Sequence, residues 1–284
     1  MLKAVCADMD NIKQFVDVNS AFGNPIIYKD ITIYPVLAKD YHKFIGVMDI
    51  LKIEKNKCAD IEVIQMSYLY YLIQLMLTDE NVKFAFLMLL HLCLHMDSDS
   101  EQLVDDFDPD AMLVQSISND KIDCYINGWD IEIRLRGRIA TLVLEGHELT
   151  ANDFEDFRRI ILFQNLHDFD EIEMNMSDDF REVIEQYYTL KNKGIRTPTI
   201  EDKALAIITH TAYTLESVGL LPMRTFDNLF NSIIAETDYI ATKALEVHLP
   251  KGKTIDHWIY KPERQKYMEV FKDADTVAKK VTSM

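Results

Sequence analysis

Residues 149–171 read LTANDFEDFRRIILFQNLHDFDE, and the interpretation of the whole fold starts from this stretch. Thr150 and Asp153 have the spacing of a capping box, in which each side chain accepts a hydrogen bond from the other residue's backbone N–H. Apolar side chains then repeat at helical spacing on one face: Phe154, Phe157 and Ile161, with Ile160 and Gln164 at its border. The stretch therefore predicts an amphipathic helix that begins after Thr150.

Four polar residues of this helix admit two interpretations: Arg158, Arg159, Gln164 and Asn165. Together they would form a clamp for an anion or a peptide, since guanidinium groups are strong charge-assisted donors. In the structural alternative, the arginines pair with neighbouring acids, while Gln164 and Asn165 stop the helix and satisfy its last carbonyls. We favour the structural interpretation, because charge runs on helices are usually solvated faces.

The segment before this helix predicts antiparallel strands. In KIDCYINGWDIEIRL, two alternating runs flank Asn127-Gly128, a dipeptide that accommodates the positive φ values of a two-residue hairpin turn. Alternation divides the second run between two faces: Ile131, Ile133 and Leu135 on one, Glu132 and Arg134 on the other. RGR turns the chain again, and IATLVLEG supplies a third strand. Residues 121–145 thus predict a small three-stranded meander covered by helices.

The chain before residue 110 predicts mainly helices. A short strand runs through Ile31 and Ile33, reaches Val36 at most, and is either an edge strand or ended by Pro35. KDYHKFIGVMDILKI then resumes helical spacing. Two helices follow, DIEVIQMSYLYYLIQLML and DENVKFAFLMLLHLCLHM, each opened by an Asp that can cap it. Both are apolar nearly all round, so we expect burial on several faces.

Further helices are predicted towards the end of the chain. SDDFREVIEQYYTLKNK ends at Gly194, TIEDKALAIITHTAYTL begins at Thr199, and RTFDNLFNSIIAETDYIATKALEVH ends before Pro250. The segment after Pro250 is the only locally basic one. It contains His257-Trp258, which either anchors a partner or packs back onto the body of the protein; we favour packing.

These patterns predict an α+β, predominantly α-helical fold in two regions. Residues 1–110 form a mainly helical region with a short edge strand. Residues 111–284 contain the β-meander at about 121–145, followed by a helical region and the basic C-terminal segment. Only 8 Gly and 7 Pro in 284 residues argue against long linkers.

The formal net charge of −17 restricts the function classes. An acidic surface repels phosphate backbones, so we expect no nucleic-acid binding through a broad basic face. It favours a soluble protein that is monomeric or associates reversibly into a homo-oligomer. No apolar run reaches the roughly 20 residues of a membrane-spanning helix, and MLKAVCADMDNIKQF lacks the apolar core of a signal peptide. The widely spaced Cys6, Cys58, Cys93 and Cys124 are expected to be free thiols.

Three polar clusters have part of the spacing or composition of a metal site. Asp97, Asp99, Glu101 and Asp108 have part of a calcium-loop spacing, but Gln102 stands where the sharp turn needs Gly. His91 and His95 share a helical face, as zinc-binding pairs do, although no third ligand follows. A second acidic run lacks any basic residue: Asp168, Asp170, Glu171, Glu173, Asp178 and Asp179. We interpret the acidic runs as solvated loops and the histidines as complements to a helix C-terminus.

Catalytic signatures are missing from the sequence. It has no phosphate-binding Gly-rich motif and no nucleophile elbow, and no Ser or Cys has a neighbourhood that marks it as a nucleophile. We therefore predict no catalytic, cofactor-binding or metal-binding residues and no cofactor, and we classify the protein as a non-enzyme.

The order of segments resembles a known set of proteins. ITIYPVLAKDYHKF, IEVIQMSYLYYLIQLM, a β insert ending in LTANDFEDFRRIILFQN, then TPTIEDKALAIITHTAYTLESVGLLPMRTFDNLFNSI and a late HWI are similar to tail assembly chaperones of bacteriophages that infect Gram-positive hosts. The resemblance covers residues 27–259 and consists of packing and capping patterns. Such chaperones carry no catalytic signature that could be transferred to positions in this sequence.

The resemblance implies a function in the host cytoplasm. The protein would bind the helical tape-measure protein, or another tail protein, and keep it soluble until the tail tube polymerises around it. Amphipathic helices can lay anchors at i, i+3, i+4 and i+7 into apolar grooves. Two alternatives stay open at this point: a structural virion component, such as a neck, tail-tube or baseplate subunit, and a metal-dependent enzyme that uses an acidic cluster.

Overall fold

A computed structural model of the protein describes residues 9–53, 60–94, 113–118, 121–126, 129–144, 146–166, 169, 178–191, 196–246 and 257–260. The chain divides into two compact units. The first consists of Met1–Phe169 and Thr214–Asn228, and the second of Asp170–Tyr213 and Leu229–Met284. The region boundary that the sequence predicts after residue 110 lies within the first unit.

Helices lie at both ends of the described chain and an antiparallel sheet lies in the middle, which confirms a mainly helical α+β fold. The helices are α1 (Met9–Ala21), α2 (Tyr41–Val47), α3 (Ile61–Gln65), α4 (Tyr68–Thr78), α5 (Glu80–Leu94), α6 (Ala151–Asn165), α7 (Asp178–Lys191), α8 (Ile200–His210), α9 (Leu215–Gly219) and α10 (Met223–Ala244). The strands are β1 (Ile26–Tyr28), β2 (Ile31–Ile33), β3 (Leu113–Ser118), β4 (Lys121–Ile126), β5 (Trp129–Arg136), β6 (Ile139–Leu144) and β7 (His147–Leu149). Short 3-10 helices cover Ala38–Asp40, Met48–Leu51 and Trp258–Tyr260.

The central sheet contains the three predicted strands, β4, β5 and β6, and two more. Strands β3 and β7 flank them, in the order β3-β4-β5-β6-β7, and every neighbouring pair is antiparallel. Ile126 pairs with Trp129, so two residues connect β4 and β5, as the Asn-Gly dipeptide predicts. Arg136 pairs with Ile139 across a second two-residue turn, in which Gly137 has a φ of 62°. The prediction of a meander is therefore correct, but it contains three of the five strands of the sheet.

The two faces of β5 differ as the alternation predicts. Ile131, Ile133 and Leu135 are buried, whereas Glu132 and Arg134 lie on the other face and pair with each other. Arg134 also pairs with Glu148 of β7. One face of the sheet thus belongs to the core of the first unit, and the other carries an ion-pair network.

Strands β1 and β2 form a separate hairpin. The predicted strand at Ile31 and Ile33 is β2, which ends before Pro35. Its partner β1 was not predicted, because its three residues are all apolar and show no alternation. Lys29 and Asp30 connect the two strands with φ values of 51° and 63°, the conformation that a two-residue hairpin turn of this type requires.

The predicted helix from Asp60 onwards is two helices, α3 and α4. Asp60 does cap α3, since its side chain accepts from the backbone N–H of Glu62. Met66 then adopts an extended conformation with ψ 149°, and Ser67 caps α4 by accepting from the N–H of Tyr70. A serine cap inside an apolar run interrupts the helix without interrupting the hydrophobic pattern.

The hydrophobic core lies in the first unit. Most of its described helices, and strands β1, β2, β5, β6 and β7, contribute to one buried cluster. In this cluster Phe154 of α6 contacts the rings of Tyr68, Phe86 and Phe157 at centroid distances of 6.4, 6.3 and 6.0 Å. Helix α5 is buried on nearly every side from Phe86 to its end, as its composition predicts. Helix α6 therefore stands at the centre of the first unit.

The second unit is helical in its described part. It contains α7, α8 and the portion of α10 that follows Asn228. Thr199 begins α8, as predicted, and its side chain also forms a capping box with Asp202. Inside this unit the Nζ of Lys203 on α8 lies 5.7 Å from the centroid of the Phe230 ring on α10.

Candidate functional site

The capping box of α6 forms as the sequence predicts. The N–H of Asp153 donates to Thr150 Oγ1 at 3.4 Å, and the N–H of Thr150 donates to the Asp153 carboxylate at 3.1 Å. Lys29 adds an ion pair to the same carboxylate at 3.1 Å. Partial burial raises the pKa of Asp153, but the hydrogen bonds from Thr150 and the charge of Lys29 outweigh it and hold this pKa below its usual value.

Arg158 is buried, and its guanidinium group contacts groups from three elements. One guanidinium nitrogen donates to the carbonyl of Leu51 at 2.7 Å, and another pairs with Glu155 at 2.7 Å. The guanidinium carbon also lies 4.3 Å from the centroid of the Tyr68 ring. Burial raises the pKa of Tyr68, and the charge of Arg158 opposes that rise. Arg158 therefore joins α6 to the 3-10 turn that contains Leu51 and to α4.

Arg159 pairs with Asp156 at 3.5 Å, so each arginine is matched to the acid three residues before it. This is the pairing that the structural interpretation predicts. Because consecutive residues of a helix point about 100° apart, the guanidinium groups of Arg158 and Arg159 lie on different sides of α6. The arrangement does not form an anion clamp.

Gln164 and Asn165 are fully buried at the end of α6. The amide of Asn165 donates to the Ile161 carbonyl at 2.9 Å, as predicted, and its oxygen accepts from the N–H of Val36 at 2.7 Å. The prediction that Gln164 also satisfies its own helix is wrong. Its amide donates to the carbonyl of Ile33 at 3.3 Å, which ties α6 to β2. The side-chain amides of Gln164 and Asn165 therefore both form hydrogen bonds inside the core of the first unit.

Sequence reasoning missed Arg224, which completes the end of α6. Its guanidinium donates to the carbonyl of Phe163 at 2.7 Å and pairs with Asp17 of α1 at 2.7 Å. The residues lie far apart in the chain, and Arg224 belongs to no motif, so no local signal marks this contact. It satisfies a carbonyl of the last turn that no side chain of α6 reaches.

The candidate metal sites are only partly within the described residues. His91 is buried in α5, and burial raises the pKa of the nearby Cys93 thiol. Of the other candidate ligands, Asp178 begins α7, and nine lie outside the described residues: His95, Asp97, Asp99, Glu101, Asp108, Asp168, Asp170, Glu171 and Glu173. Asp179 is exposed on α7. In the part of the chain that the structure describes, no group of three or more His, Cys, Asp or Glu is placed to hold a metal ion.

Within the second unit His257 packs against α10, and the ring of Trp258 stacks on that of His257. The His257 ring lies 4.6 Å from the ring of Tyr239 and 5.8 Å from that of Trp258, measured between centroids. Trp258 is partly buried. Ile259, the next residue, is exposed.

Apolar residues are distributed very differently in the two units. Among the described residues of the second unit, three large apolar side chains are buried: Ile184, Ile207 and Ile233. Nine are exposed: Val183, Leu190, Ile200, Leu205, Tyr213, Ile234, Ile240, Leu245 and Ile259. In the first unit, buried apolar residues far outnumber exposed ones. The nine residues are called the apolar surface residues below.

Helix α10 shows how this surface arises. Ile233 and Ile240 are two turns apart and lie on the same face of the helix. Ile233 is 8% exposed, whereas Ile240 is 61% exposed. The apolar stripe of α10 therefore continues beyond the packing that covers it. Stripes of this kind mark interaction surfaces when they are left open.

The described residues include no helix that is both long and apolar enough to cross a membrane. No protein-family model, no curated protein and no solved structure matches the chain.

Proposed function

We propose that the protein is a non-enzymatic phage tail assembly chaperone that acts in the host cytoplasm. It binds the helical tape-measure protein and keeps it soluble during tail assembly. The sequence resemblance over residues 27–259 suggested this role. The observation that carries the proposal is the excess of exposed over buried apolar side chains among the described residues of the second unit.

The physical argument concerns helix binding. A tape-measure helix that waits for its tail tube exposes an apolar stripe, which drives aggregation unless another surface covers it. Six of the apolar surface residues lie on α7, α8 and α10, and side chains three and four positions apart on a helix are neighbours. Such a surface suits an amphipathic helix with anchors at i, i+3, i+4 and i+7. The net charge of −17 opposes self-association of the chaperone while that surface is open.

Co-expression tests the proposal. The protein is produced together with the tape-measure protein encoded by the same genome, and the soluble yield of the latter is measured with and without it. We expect a higher soluble yield and co-purification of the two proteins. An unchanged yield without co-purification would contradict the proposal.

A structural virion component is the second candidate. Strand β3 stands at the edge of the central sheet, where β4 is its only partner among the described strands. An edge strand can add a strand from a neighbouring subunit. Mass spectrometry of purified particles separates the candidates, because a virion subunit is stoichiometric in the particle, whereas a chaperone is absent or scarce.

A further inference from the structure

Helix α7 carries an exposed apolar stripe within the second unit. Val183, Tyr187 and Leu190 are spaced by four and three residues, so they share one face of the helix. Val183 is 50% exposed and Leu190 is 72% exposed, while Tyr187 between them is partly buried. Ile184 is buried and lies about 100° from Val183 around the helix, so it marks the side on which α7 packs. The three residues are called the α7 stripe.

Acidic side chains flank the α7 stripe. Asp179 lies one turn before Val183, and Glu182 stands next to it in sequence; both are exposed. Glu182 accepts a hydrogen bond from the side chain of Gln186 at 2.9 Å, which joins the two along the helix. Arg181 lies roughly opposite Val183 around the helix. The described side chains beside Val183 are therefore acidic or neutral, whereas Lys191 follows Leu190 at the other end of the stripe.

We propose that the α7 stripe docks an amphipathic α-helix whose apolar anchors are flanked by Lys or Arg. This inference rests on the proposed function, since it specifies the chemistry of the partner helix. Leucine-sized anchors cover Val183 and Leu190, while the basic flanks meet Asp179 and Glu182. Opposite charges at the rim of an interface raise the association rate and fix orientation, and salt weakens them.

An acidic partner helix is disfavoured at this surface. Its carboxylates would stand beside Asp179 and Glu182, and like charges placed together at an interface oppose binding. A neutral helix would gain the apolar burial alone. The flanking charges therefore select among amphipathic helices that carry the same apolar stripe.

Model peptides of about five helical turns test the inference by fluorescence anisotropy with the full-length protein. The first peptide has Leu at i, i+3, i+4 and i+7 and Lys elsewhere. The second replaces each Lys by Glu, and the third scrambles the first so that no stripe forms. We expect the first peptide to bind at least about tenfold more tightly than either of the others at low salt.

Variants locate the binding site. Val183→Ala combined with Leu190→Ala preserves helix propensity and is expected to weaken binding of the Lys peptide by at least about tenfold. Leu77→Ala is the matched control, because Leu77 is an exposed apolar residue of α4 in the first unit. Asp179→Asn combined with Glu182→Gln should weaken binding less and reduce its salt dependence.

Three results would overturn the inference. The first is a scrambled peptide that binds as tightly as the ordered one. The second is a double alanine variant that binds the Lys peptide as tightly as the parent protein does. The third is a dimer, seen by light scattering of the parent protein, that the double alanine variant dissociates. The last result would assign the stripe to a second copy of the chain. If co-expression keeps the tape-measure protein soluble but the peptides do not bind, the inference is wrong and the proposed function stands. If the Lys peptide binds but co-expression does not raise the soluble yield, the proposed function is wrong and the docking surface stands.

Discussion

Arg158 shows at the scale of one residue how a polar side chain can belong to the core. It is 9% exposed, and it bonds to the Leu51 carbonyl and to Glu155 while lying against the ring of Tyr68. In sequence it cannot be distinguished from Arg159. The two differ only in what the fold brings to them, which a local pattern does not contain.

Arg158→Met is expected to lower the free energy of unfolding by about 2–4 kcal/mol, because it leaves the Leu51 carbonyl and Glu155 without their partner. Arg159→Met is the matched control. Its ion pair with Asp156 is longer and partly exposed, so we expect a loss of less than about 1 kcal/mol. Urea denaturation followed by circular dichroism measures both, and equal losses would contradict the structural role of Arg158.

Gly23 is a second residue on which the fold depends. Its φ is 67°, and a Cβ there would lie 2.7 Å from the Cγ of Pro222. We expect Gly23→Ala to cost about 2–4 kcal/mol, because the positive φ and the clash with a rigid ring both oppose it.

Gly137→Ala is the control for the effect of φ alone. Gly137 has a φ of 62° with open space around it, so we expect a cost of about 1 kcal/mol. Thermal unfolding measures the loss of stability in both variants, and the difference between the two losses is the cost of the clash with Pro222. A cost at Gly23 no larger than that at Gly137 would mean that the Pro222 contact is unimportant.

At the scale of elements, caps and turns were the most predictable features. The capping boxes at Thr150 and Thr199 and the connection at Gly137 follow from short-range rules that the sequence contains in full. The break at Ser67 was missed, because an apolar run continues across it and hides the cap. Asn165 was assigned correctly for its bond within α6, whereas its bond to Val36 depends on tertiary packing.

The capping box of α6 makes stability depend on pH through Asp153. A carboxyl whose folded pKa is lowered contributes stability above its unfolded pKa, about 4, and that contribution is lost as the pH falls through the folded pKa. Asp153→Asn should therefore cost about 0.5–1.5 kcal/mol at pH 7. The difference from the parent should shrink as the pH is lowered below about 4.

Thr150→Ala checks the cause of this pH dependence. It removes the hydrogen bonds that Thr150 provides through its hydroxyl while leaving the Asp153 carboxyl in place, so the pKa of Asp153 should move back towards its usual value. Urea denaturation across the acid range measures all three proteins. A constant difference between the parent and Asp153→Asn at every pH would contradict the assignment.

At the scale of the whole molecule, the two units differ in how their apolar residues are used. The α+β class was predictable because hydrophobic periodicity differs between helices and strands. The exposure of the apolar surface residues was not predictable from the sequence, because the spacing that predicts an apolar helix face does not tell whether another element covers that face. Ile233 and Ile240 are equivalent in the sequence pattern and differ only in the structure.

This difference predicts unequal hydrogen exchange. Helices α4, α5 and α6 share the buried cluster of the first unit, so their amides should exchange only through rare, large openings. Helices α7 and α8 bury few apolar side chains and should exchange faster. Mass-spectrometric exchange of the full-length protein measures both sets, and equal protection of all five helices would contradict the distinction.

The central claim is that the polar groups of α6 complete the core, while the apolar surface residues of the second unit bind the partner. The triple variant Val183→Ala, Leu190→Ala and Ile240→Ala tests it in the co-expression assay with the tape-measure protein. We predict an unchanged urea midpoint for the first unit and a large loss of soluble tape-measure protein. An unchanged midpoint with a soluble yield equal to that of the parent would contradict the claim.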